Sequence, residues 1–203
     1  MEREKRVIPQ SLSEVRAVEI EGGGYQIPGK GIVFNQRSQK LGWFVEIIDP
    51  RALDEADMSD IVATYNHDMN YVLGRSTNNT LSYTIDSEGL NYVITPPDNQ
   101  TIRDIVLAPI IRRDVTGSSF MFSVANRGDD WEEQPDGLVI RYVRKIDTVF
   151  EFGPVTMPAY RQTTTDAQQV AKRSFDEFIE ETKKKELTYR SEFTRLKLEL
   201  IGR

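Results

Sequence analysis

The sequence has 203 residues, 38% of them hydrophobic and 29% charged, with a formal net charge of −6. That length fits one domain, or one domain plus an appendage, with enough chain to bury a core. Cysteine is absent and His67 is the single histidine, which rules out disulfides, thiolate metal sites, a cysteine nucleophile and a multi-histidine zinc centre together. The acidic body speaks against a nucleic-acid surface. No apolar run approaches the ~18 residues of a membrane span, and no cofactor or metal is implied.

Residues 1–24 are charged and punctuated and predict an N-terminal arm or an edge strand. No apolar stretch follows Met1–Arg6, so no secretory signal is expected. The run Gly22–Gly24 lacks the spacing and the Lys-Ser/Thr of a phosphate-binding P-loop, and with Pro28–Gly31 it marks turns. Residues 25–162 form the central unit. Within it, short runs rich in Tyr, Phe, Val and Ile recur: 31–35, 41–48, 61–65, 81–85, 90–94, 120–125, 138–143 and 148–152. Several alternate apolar with polar, which predicts strands. The fold class is therefore α+β, mostly β, with an antiparallel, barrel-like or sandwich sheet. Asp49-Pro50 predicts a short flanking helix through Asp57, and Thr101–Leu107 a second one ending near Pro109.

The composition changes at Pro158, and no Gly or Pro occurs from Ala159 to Ile201. Residues 166–203 carry 9 basic and 8 acidic side chains, against 17 and 24 before them. Thr165-x-x-Gln168 reads as a capping box. Val170, Phe175, Phe178, Ile179, Thr182, Tyr189, Phe193, Leu196 and Leu200 then fall mostly at three- and four-residue steps. Residues 163–203 are thus a long amphipathic helix, or two with a break near Lys183–Lys185. Such a helix either packs on the sheet or binds a partner or a second copy of the chain.

Hydrolysis by a nucleophile needs an activated oxygen, a base within reach, a group that orients the base, and donors for the oxyanion. His67 follows the apolar run 61–65 in Tyr65-Asn66-His67-Asp68 and is the one histidine that could be the base. Ser119 sits in Gly117-Ser118-Ser119-Phe120-Met121-Phe122, where alternation puts it on the face opposite Phe120 and Phe122, together with Met121 and Ser123. Glu151 lies between Phe150 and Phe152, and a buried carboxylate there needs a partner such as an imidazolium. Taken singly, each has a plainer reading: a surface-turn histidine, a polar strand start, an outward-facing glutamate. The serine segment is not a nucleophile elbow, since glycine would be needed at Met121.

In order along the chain, six segments resemble those of the prohead (capsid-maturation) serine protease family of tailed phages. They are Gly31–Asn35 with Ser38; Trp43–Pro50 followed by Ala52-Leu53, with Arg51 where the family has glycine; and Asn66-His67-Asp68 with Leu73-Gly74-Arg75. Then come Gly89-Leu90; Arg112-Arg113-Asp114-Val115-x-Gly117-x-Ser119-Phe120-x-Phe122; and Glu151-x-x-x-Val155-x-x-Pro158-Ala159-Tyr160. Each is weak alone; their order and spacing make them specific. Gly153 stands where the family commonly has serine.

The resemblance implies a fold like that of herpesvirus assembly proteases, a serine nucleophile at Ser119 and a base at His67. Those viral enzymes use two histidines; here the third group is expected to be acidic, with Glu151 first and Asp68 or Asp114 as alternatives. The oxyanion donors are expected to be backbone N–H groups near Ser119, or an arginine such as Arg112 or Arg113. The implied substrates are the major capsid protein's scaffolding segment or a scaffold protein, and the protease itself. The implied place of action is the assembling prohead in the host cytoplasm. A non-enzymatic assembly protein that kept the fold is the alternative, and an unrelated small esterase a further one.

Overall fold

The computed structural model describes residues 2–156 and 165–201, and side chains through 156 and from 168 to 193. Pro158, Ala159 and Tyr160 of the closing segment lie outside these residues, as does the side chain of Thr165 in the expected capping box. The chain runs β1 (Glu4–Ile8), α1 (Gln10–Ser13), β2 (Val18–Glu19), β3 (Tyr25–Val33), β4 (Phe44–Ile48), β5 (Val62–Tyr65), β6 (Asp68–Arg75), β7 (Leu81–Ile85) and β8 (Gly89–Ile94). A helical stretch follows, α2 (Gln100–Ile102) and α3 (Ala108–Ile111) with a π-helical segment, Arg103–Leu107, between them. The rest is β9 (Gly117–Val124), β10 (Asp129–Glu133), β11 (Val139–Val143), β12 (Ile146–Val155) and α4 (Thr165–Ile201).

The strands build three sheets, ordered β1-β9-β12-β5-β6, β10-β11-β4 and β2-β3-β8-β7. This corrects the expectation of one barrel-like antiparallel sheet: among the described residues no barrel closes. Two neighbours are parallel, β12 with β5 and β11 with β4. Parallel pairing needs a long crossover, which the chain between Tyr65 and Ile146 supplies. Besides β1 and β2, which lie in the stretch expected as an arm or edge strand, two strands escaped the apolar-run criterion for opposite reasons. β6 is an edge strand with exposed Met69 and Val72. β10 is Asp-Asp-Trp-Glu-Glu, whose one buried side chain is Trp131.

Residues 50–55 form turns rather than the expected helix. Its bonds run three residues on, Ala52 N–H to the Asp49 carbonyl and Asp54 N–H to that of Arg51, and Asp57 leaves to bridge Thr148. The second helix runs past Pro109 to Ile111 instead of ending there. A wide π turn just before a proline relieves the clash and the missing donor that would otherwise stop the helix.

The main core lies between the five- and four-stranded sheets. Ile27, Ile32, Leu90, Ile94, Phe122 and Phe152 are fully buried, each contributing about 1.5–3 kcal/mol. Tyr92 stacks on Phe152 at 5.0 Å. Its hydroxyl meets Ser118 Oγ at 3.2 Å, and burial pushes its pKa well up.

α4 is one unbroken helix of 37 residues, without a break at Lys183–Lys185. Its two ends behave differently. Ala171, Phe175 and Phe178 pack on Trp43, Phe44, Trp131 and Val139, and Trp131 Nε1 donates to Ser174 Oγ at 3.1 Å. From Glu180 to Phe193 every residue is exposed, including Leu187, Tyr189 and Phe193. Packing on a sheet therefore describes the first half and an unoccupied face the second.

Candidate active site

His67 is placed by backbone geometry. Tyr65 pairs with Asp68 across a two-residue loop, and both loop residues, Asn66 (φ 57°) and His67 (φ 60°), are left-handed. Two positive φ values in a row make the tight hairpin turn that matches strand twist, and asparagine is favoured at its first position. A left-handed non-glycine residue costs about 1–2 kcal/mol, so the turn must be held. Asn66 holds it against the end of β12: its N–H donates to the Pro154 carbonyl (3.0 Å), its Oδ1 accepts from Thr156 N–H (2.7 Å) and its Nδ2 donates to Thr156 Oγ1 (2.9 Å).

Ser119 lies on β9 opposite Gly153 of β12, on the face away from Phe120 and Phe122. Its Oγ is 2.7 Å from His67 Nε2. His67 Nδ1 is 3.0 Å from Glu151 Oε2. The second oxygen of Glu151, Oε1, accepts a hydrogen bond from Thr64 Oγ1, on β5. Glu151 and Thr64 are buried, 1% and 0% exposed, whereas the His67 side chain keeps 15% of its surface. Burying a carboxylate is costly unless its oxygens find such partners.

The contact between Thr64 and Glu151 depends on Gly153. A Cβ there would lie 2.0 Å from the Thr64 carbonyl oxygen. Glycine thus lets β5 approach β12 closely enough for a short threonine to reach the carboxylate.

Of the sequence candidates, the structure brings Ser119, His67 and Glu151 together and leaves the others apart. Asp68 accepts from Asn70 within its own turn. Asp114 pairs with Arg112 on the surface, and Arg113 donates to the Val15 carbonyl. Ser118 faces Tyr92 and Ser123 reaches Asp147. Two participants were missed. Thr64 carried a legible signal, the one aliphatic hydroxyl in the apolar run 61–65. The other is the backbone carbonyl of Arg6, which accepts from Ser119 Oγ at 2.8 Å, and no side-chain pattern announces a carbonyl.

A serine hydroxyl, an imidazole and a carboxylate in hydrogen-bonded sequence can transfer a proton from the oxygen as it attacks. Comparison with protein families narrows the chemistry. A family model described as caudovirus prohead serine protease matches residues 11–184 of the 203. The chain belongs to the caudovirus prohead serine protease family. It is accordingly a serine protease, and the matched region contains Ser119, His67, Glu151 and the packed half of α4 while β1 precedes it. No curated protein and no solved structure matches the chain. No helix among the described residues is long and apolar enough to cross a membrane.

Proposed function

We propose that this prohead protease is an endopeptidase acting through an acyl-enzyme, with Ser119 as nucleophile, His67 as base and Glu151 as the group that orients the base. One observation carries the reading: the two nitrogens of the sole imidazole face a hydroxyl at 2.7 Å and a buried carboxylate at 3.0 Å. Glu151 accepts the Nδ1 proton and so leaves the Nε2 lone pair directed at Ser119. Ser119 Oγ attacks the scissile carbonyl as Nε2 takes its proton. His67 returns that proton to the leaving amine, and water then hydrolyses the ester with His67 as base again. Thr64 keeps the carboxylate from rotating away. Backbone N–H groups near Ser119 are the proposed oxyanion donors.

The substrates proposed are the scaffolding segment of the capsid protein or a scaffold protein, and the protease itself, cut inside the assembling prohead. Residues 25–162 form the proposed protease unit, with a herpesvirus-protease-like fold, and 1–24 the arm or edge strand. The exposed half of α4, within 163–203, is proposed to dock the enzyme to scaffold or shell. Treatment of the protein with a fluorophosphonate, followed by peptide mapping, tests the mechanism. Label on Ser119, and none in Ser119→Ala, is the expected result; self-trimming that persists in Ser119→Ala would falsify it. A silent assembly protein that kept the fold is a second reading, favoured by one fact: Ser119 has no exposed surface. Absence of label would select it.

A further inference from the structure

The occlusion of Ser119 has an identifiable cause. β1 pairs antiparallel with β9, Val7 opposite Ser119 and Arg6 opposite Phe120. This is an edge position, since β1 has no strand beyond it in the five-stranded sheet. The Arg6 carbonyl oxygen lies 2.8 Å from Ser119 Oγ, which is also 2.7 Å from His67 Nε2. A hydroxyl has one proton to donate. While Arg6 holds it, His67 does not receive it.

We propose that the β9 edge now filled by β1 is the substrate-binding edge, that β1 occupies it in cis as a stand-in, and that the extended peptide replacing it carries arginine immediately before the cut bond. This rests on Ser119 being the nucleophile.

An extended peptide can add to a strand edge through main-chain bonds whatever its sequence, while pockets for alternate side chains give selectivity. β1 already shows the arrangement: a carbonyl against the nucleophile, with its own side chain turned to the other face of the sheet. There the Arg6 guanidinium forks onto the Glu46 carboxylate, Nε to Oε1 at 2.7 Å and Nη2 to Oε2 at 2.8 Å. The Phe122 ring lies 5.4 Å below it. A bidentate carboxylate backed by an aromatic face is a receptor for guanidinium.

Departure of β1 leaves the net charge of the buried cluster unchanged, since the strand's third charge, Lys5, is exposed. It removes Glu4 and Arg6, one charge of each sign, and leaves Arg141 bonded to both Glu46 and Asp129. Glu46 loses its bidentate partner, and an incoming arginine restores it. β1 also precedes the stretch that the family model matches, which begins at residue 11.

The test uses the full chain and two peptidyl phosphonate diesters that differ only in the residue bearing the phosphorus, arginine or glutamate. Ser119 Oγ displaces a phenoxide from phosphorus, His67 accepts the hydroxyl proton, and the adduct is read by mass. The arginine probe is expected to react at least 10-fold faster, and hydrogen exchange at the amides of residues 5–8 to accelerate in the adduct. Equal rates, or β1 amides as protected in the adduct as before, would overturn the proposal.

The lack of native cysteine permits a second arm. Lys5 and Met121 are directly opposed, so a Lys5→Cys/Met121→Cys disulfide staples β1 to β9. The oxidised form should react at least 10-fold more slowly than the same protein after reduction; equal reactivity rejects the displacement. If neither these probes nor a small fluorophosphonate modifies the wild-type protein, the failure lies with the protease assignment, and the proposal falls with it.

Discussion

Strand β9, with β1 beside it, separates two buried polar clusters of opposite character. On the Phe120–Phe122 face, Glu4, Arg6, Glu46, Asp129 and Arg141 bring five charges together, the first three and Arg141 at most 4% exposed. Arg141 bonds both oxygens of Glu4, at 3.0 and 2.7 Å, and one of Asp129, at 2.7 Å. On the other face, Ser119, His67, Glu151 and Thr64 form a row with a single carboxylate. The charged cluster gives each guanidinium and each carboxylate a partner of opposite sign. It has no proton to move and, while β1 fills the β9 edge, ties that strand to Glu46 of β4 and Arg141 of β11. The row beyond it shares one hydroxyl proton between two acceptors and keeps one imidazole edge at the surface. Reactivity resides where the bonding is under-determined, and charge density is a poor guide to it.

That contrast can be broken at either cluster. Glu151→Gln should lower kcat about 10³- to 10⁴-fold, because an amide can donate toward Nδ1 and favour the wrong tautomer; a thermal melt should show the fold intact. If activity stays within tenfold, Glu151 does not orient the base. On the other face, Arg141→Ala leaves three carboxylates against Arg6 alone. It should destabilise the protein by about 3–5 kcal/mol, since a buried pair is most costly when one partner is removed, as read from urea unfolding. Thr64→Val should reduce kcat about 10- to 100-fold at unchanged KM, the scale of a hydrogen bond to a charged group, and Thr64→Ser should recover most of it. Equal losses in both variants would make Thr64 a packing residue only.

The smallest effect is one of pH. Burial alone would raise the Glu4 carboxyl, but Arg6 and Arg141 beside it overcome that and hold it at about 2. A carboxyl lowered on folding stabilises the native state fully above its ordinary value of 4.5, and the contribution disappears as pH falls toward 2. The urea midpoint of the wild type should therefore drop over that interval more steeply than that of Glu4→Gln. Parallel profiles would dissociate Glu4 from the stability of this face.

Legibility in the sequence followed the physical range of each interaction. The runs 81–85 and 90–94 show their strands because alternation is local, and Leu81–Ile85 is β7 to the residue. His67, Ser119 and Glu151 were found as separate segments, but their meeting depends on three strands paired β9-β12-β5. The third group was narrowed by an absence: one histidine in the chain required something else at Nδ1. Parallel pairing and the division into three sheets were illegible, because crossover direction is not encoded in any window of residues. The charged cluster was hidden for a related reason. Glu4 and Arg6 look like a solvated arm, and only Glu46 and Arg141, some 40 and 135 positions away, make them interior.

Gly153 carries a lesson for anyone wishing to harden this enzyme. A glycine within a strand is an obvious target, because replacing it by alanine restricts the unfolded chain and commonly raises a melting temperature. Here the added methyl would stand 2.0 Å from the Thr64 carbonyl, and β5 would have to retreat. Thr64 and the hairpin bearing His67 travel with that strand. A library screened for heat resistance alone should reject position 153, or return variants whose gain in rigidity is matched by a lost turnover.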